Sequence, residues 1–119
     1  MDAKELTSAL TQFTCTEHYY RIHPQVVLTD GAKFLADEAE AYWLMDAIAS
    51  YLRFFQPKEC FAYCILKVNS IGAELLIDDG NDNILARQAI EYTDFPLPEI
   101  KLYGIWSDGF WVIMLTSEY

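Results

Sequence analysis

Apolar positions recur at helical spacing through the first half of the chain and alternate along the second half. Leu6, Leu10 and Phe13 fall on one side of a turn that sets Lys4 and Glu5 outward, which predicts a short amphipathic helix over residues 3–13. Residues 14–24 read as irregular or partly extended, and Pro24 biases His23 away from helical angles. Residues 25–28 read as a brief strand or as the extended entry to a long helix. Thr29 or Asp30 is the natural cap of that helix. Its stripe runs Leu35, Ala39, Tyr42, Met45, Ala49 and Leu52, widened by Phe34, Ala41, Ile48 and Phe55, with Trp43 and Ala47 round the side. A single helix of that kind, ended by Pro57, is apolar over most of its circumference and must be covered on more than one side. It is expected to be the spine of the fold.

From Cys60 the period changes to two. Residues 61–68 are apolar on both faces, as suits a central strand. Ala73, Leu75 and Ile77 alternate with Glu74 and Asp78, and residues 79–83 are dense in residues that accept tight-turn angles. The return strand is expected over residues 84–92. After the break at residues 94–98, residues 100–106 and 110–115 predict a last hairpin across Asp108-Gly109, a pair suited to a type I′ turn. That turn sets Ser107 opposite Phe110 and Trp106 opposite Trp111. The expected class is therefore α+β: one domain over residues 1–119, with two N-terminal helices, one of them long, packed on a C-terminal antiparallel sheet of about five strands.

Composition alters this picture at the surface. Fifteen per cent of the 119 residues are aromatic and 53% hydrophobic, more rings than one small core absorbs, so some are expected at an interface. Eighteen acids against eight bases give a net charge of −10, and no Lys/Arg cluster locally reverses it. Direct binding to nucleic acid and to anionic membranes is therefore disfavoured, whereas a basic protein is an admissible partner. No window reaches the roughly 18 apolar residues of a spanning helix, and the N-terminus lacks the regions of a signal peptide. The odd set Cys15, Cys60 and Cys64 reads as reduced thiols in a cytoplasmic protein.

Candidate chemistry is sparse. Cys60 and Cys64 lie roughly 13 Å apart along the expected strand, too far to chelate one ion or close a disulfide, and read as small core residues. Cys15 and His18 offer a thiol and a base without an orienting group. Residues 78–83 resemble a calcium loop superficially, but position 89 is Ala and the flanks are strands. Phosphate-binding glycine loops and the Gly-x-Ser-x-Gly and His-Glu-x-x-His patterns are absent. No catalytic residue, cofactor or metal is assigned. Asp46 is the anomalous residue, set in the most apolar part of the long helix. It reads as a structural acid paired with Arg53, Arg21 or a tyrosine, or as an acid on an exposed strip. The rival reading makes it the anchor of a pocket lined by Tyr42 and Trp43.

The strings Leu10-Thr11-Gln12-Phe13, Glu17-His18-Tyr19-Tyr20, Thr29-Asp30-Gly31, Ala41-Tyr42-Trp43-Leu44-Met45-Asp46-Ala47-Ile48, Asp78-Asp79-Gly80-Asn81 and Glu91-Tyr92-Thr93-Asp94-Phe95-Pro96-Leu97 span most of the chain. Together they resemble a family of small uncharacterised bacterial proteins often found with mobile elements. The resemblance implies a recurring compact domain, brings no established activity, and points to accessory or host-interaction roles.

The reading that follows is a non-enzymatic protein-interaction domain, expected to self-associate as a dimer, with Tyr19, Tyr20, Trp106 and Trp111 as surface rings. One alternative is an acidic decoy of a nucleic-acid-binding protein, which needs Asp37, Glu38 and Glu40 aligned with Asp78, Asp79 and Asp82. The other is a ligand-binding domain or unrecognised enzyme with its pocket at Asp46.

Overall fold

Asp2 and Thr29 start the first two helices in the same way. Each sits in extended backbone and accepts a hydrogen bond from an amide three residues on, Glu5 at 2.8 Å and Ala32 at 3.2 Å. The computed structural model describes residues 1–55 and 59–119. Its helices are α1 (Ala3–Leu10), α2 (Asp30–Glu38) and α3 (Tyr42–Phe55). Its strands are β1 (Tyr20–His23), β2 (Val26–Leu28), β3 (Phe61–Val68), β4 (Ala73–Asp78), β5 (Ile84–Ile90), β6 (Glu99–Ser107) and β7 (Phe110–Leu115), and a 3₁₀ turn follows at Thr116–Glu118.

The expected single long helix is two helices. Glu40 takes φ +50°, and the amide of Ala41 reaches back to the carbonyl of Ala36 at 2.9 Å. This is the six-to-one bond of a Schellman stop, with a glutamate where glycine usually stands. The break separates α2 from α3. Pro57, the expected terminator, lies outside the described residues.

The expected five antiparallel strands are seven, in the order β1-β2-β7-β6-β3-β4-β5. Residues 14–24, read as irregular or partly extended, supply β1, and residues 25–28, read as a brief strand or an extended entry, supply β2. β2 pairs parallel to β7 (Val26 with Trp111, Leu28 with Ile113), so the sheet is mixed. At three and four residues these strands are too short to display alternation. The α+β class and the last hairpin stand as read: Asp108 and Gly109 have φ +49° and +85°, and Trp106 faces Trp111 with ring centroids 5.8 Å apart.

The core lies between the helices and one face of the sheet. Leu35, Leu44, Met45, Ile48 and Leu52 pack against Ala62, Leu66, Leu75, Leu102 and Ile113. Contact is close at Gly104, where an added Cβ would stand 3.1 Å from a methyl of Leu52. The chain end locks this layer. Glu118 accepts from the Thr29 hydroxyl at 2.6 Å and from the Gly31 amide at 3.0 Å, placing a carboxylate at the start of α2.

Candidate functional site

Side chains alternate across the sheet, so its strands present two faces of different character. Ala62, Cys64 and Leu66 on β3, Leu75 and Ile77 on β4, Leu102 on β6, and Trp111, Ile113 and Leu115 on β7 are buried beneath the helical layer. The opposite face carries Phe61, Tyr63 and Ile65 on β3, Leu76 on β4, Tyr103 and Ile105 on β6, and Phe110, Val112 and Met114 on β7. Most of these are only half-buried. Tyr103 is the hub of a ring cluster, with Phe61 at 5.2 Å, Tyr63 at 5.6 Å and Tyr119 at 5.2 Å between centroids. The β4–β5 turn leans over its margin, where an added Cβ on Gly80 would meet the Phe61 ring at 2.8 Å. A trough of about 450 Å³ opens at the other margin, lined by Tyr19, Arg21, Val27, Ser107, Asp108, Phe110 and Val112.

Charge on this face is balanced, unlike that of the chain. Its strands carry the cations Arg21, Lys67, Arg87 and Lys101 against the acids Glu74, Asp78 and Glu99, whereas the whole chain carries −10. Lys67 stands opposite Glu74 on β4 and Glu99 on β6. Each glutamate lies near another cation: Arg87 on β5 is 3.8 Å from Glu74, and Lys101 on β6 is 3.5 Å from Glu99. Tyr63 and then Glu99 raise the pKa of Lys101 above its ordinary value. The Arg21 guanidinium stacks over Phe110 at 5.5 Å.

The residues singled out in the sequence do not come together as one site. Tyr19 is 60% exposed and flanks the trough. Tyr20 lies on the helical side and donates to Asp30 at 2.9 Å. The amide of Glu17, followed by the Tyr20 hydroxyl, holds the Asp30 carboxyl below its ordinary pKa. Tyr42 donates to Asp37 at 2.6 Å, and Trp43 meets Phe95 edge-on at 6.4 Å. Trp106 is half-buried. Trp111, expected at the surface, is fully buried, because its position in β7 points beneath the helices. Asp46 lies on the solvent side of α3 with its side chain 61% exposed, 3.3 Å from Nε2 of His23. It is therefore an acid on an exposed strip rather than the floor of a cavity.

Cys64 is buried, which pushes its thiol pKa well up, whereas Cys60, expected in the core, is exposed one residue before β3. No group of three His, Cys, Asp or Glu side chains among the described residues is placed to hold a metal ion. None of the described helices is long and apolar enough to cross a membrane. Sequence reasoning missed Phe61, Tyr63, Tyr103, Ile105 and Met114. The available signal was the two-sided apolarity of β3, which reads equally as a strand covered twice or as one left open on one side.

A family model described as a family of unknown function (DUF6876) matches residues 4–119. No curated protein and no solved structure matches significantly.

Proposed function

We propose, for a chain that belongs to DUF6876 and takes no activity from that family of unknown function, that it is a non-enzymatic protein-contact domain. It self-associates through the open face of its sheet. The observation that carries this reading is the row of half-buried rings and aliphatic side chains on the face opposite the helices, centred on Tyr103 and Ile105. Apolar surface removed from water contributes about 25 cal/mol per Å², and a stable contact buries about 800 Å² on each partner. A second copy is favoured over other partners because this is the balanced region of an acidic molecule. Other approaches bring net negative surfaces together.

The decoy reading has less support. Asp78 is buried and accepts from the Gly80 amide at 2.7 Å, Asp79 is engaged by Asn81 and Asn83, and Asp37 binds Lys33 and Tyr42. The pocket reading loses its motive with the exposure of Asp46. The bacterial, mobile-element setting implied by the sequence resemblance makes this domain an accessory or host-interaction factor whose dimer is the working unit.

Sedimentation equilibrium across micromolar concentrations is expected to show a dimer. Ile105→Glu, which places a charge in the middle of the open face without touching the helical core, is expected to give a folded monomer. A wild-type chain that stays monomeric at the highest concentration sinks the reading.

A further inference from the structure

The charged end of the open face restricts how two copies can meet. In a face-to-face contact about a two-fold axis running along the strands, each position on one side of the axis meets its reflected position on the other copy. An axis on β3 sets Lys67 against Lys67 and Glu74 against Glu99, so like charges oppose. An axis between β4 and β3 matches Lys67 with Glu74, but the pairing registers then set Lys101 against Arg87 and Tyr63 against Asp78. An axis between β3 and β6 matches Lys67 with Glu99 twice, Tyr63 with Tyr103 twice and Phe61 with Ile105 twice. It opposes no two like charges of these strands.

Resting on the self-association reading above, we infer that the two-fold axis of the dimer runs between β3 and β6, and that reciprocal Lys67–Glu99 contacts between the copies set its register. Lys67 is suited to this role. Among the described residues it forms no ion pair in its own sheet although it stands opposite two glutamates, which lie near Arg87 and Lys101 instead. Its ammonium is exposed and free to meet a carboxylate of the second copy. The rings beside it supply contact area, and the charges select one alignment among the several that greasy faces allow.

The test is a charge exchange between two differently tagged samples, read by sedimentation and native mass spectrometry. Lys67→Glu and Glu99→Lys are each expected to weaken self-association about tenfold or more, since each puts like charges together twice. Mixing the two variants is expected to give a heterodimer of near wild-type affinity, because both reciprocal contacts are then attractive. The double variant carrying K67E and E99K keeps both contacts between copies attractive, and is expected to dimerise like wild type. Should the mixture stay monomeric, or should K67E pair with Glu74→Lys in place of E99K, the β3–β6 axis is overturned. If the double variant fails to dimerise while Ile105→Glu still dissociates the wild-type dimer, the inferred register is overturned and the contact surface stands. A monomeric wild type removes the contact surface itself.

Discussion

Glu40 adopts φ +50°, a left-handed conformation in which a Cβ crowds the neighbouring carbonyl. The residue is exposed and stops α2, so the surrounding structure holds the strain without gaining packing from the side chain. Glu40→Gly is expected to stabilise the fold by about 1 kcal/mol, read as a higher urea midpoint with an unchanged slope. A lower midpoint would mean that the glutamate contributes a contact that outweighs the strain. The stop was illegible in the sequence for the same reason. Ala39 and Ala41 are good helix formers, no glycine marks the reversal, and the apolar stripe continues across it. Asp46 misleads in the opposite sense. Its neighbours Met45 and Ala47 are apolar, yet one residue is about 100° of helix, enough to turn its carboxylate to water.

Elements with their own periodicity were legible. β3, β4, β6 and β7 fall within a residue or two of the alternating runs, and the Asp108-Gly109 turn supplied the register of the last hairpin. β1 and β2 were not, because a short strand made by pairing to a distant segment leaves no local pattern. Nor was the open face. Whether a two-sided apolar strand is covered once or twice depends on how many helices reach it, and the break at Glu40 concerns their arrangement rather than any strand. At this scale Gly104 is a close meeting of β6 and α3. Gly104→Val drives methyl groups into Leu52 and is expected to destabilise by about 1–3 kcal/mol, seen as a fall in the urea midpoint. An unchanged midpoint would show that α3 can lift from β6 at little cost.

For the whole molecule, the helical side is closed by its own core, the open side is a balanced field of rings and paired charges, and the remaining surface is acidic. One connection has a consequence in time rather than in space. Among the described residues β1 and β2 reach the rest of the sheet only through β7, and Thr29 bonds to Ile113 across 84 residues of chain. During synthesis the first strands emerge long before the strand that anchors them, so that edge of the sheet is assembled last. Contacts of such long range form late, after the local hairpins. Val26→Ala, which thins β2 where it meets Trp111, is therefore expected to speed unfolding and leave the refolding rate nearly unchanged in a stopped-flow chevron. A matching loss of refolding rate would place this pairing in the nucleus. With late closure, the newly made chain passes through a stage in which the N-terminal segment is unanchored and β7 offers an unpaired edge, and it is then that a second chain could capture the place of β2.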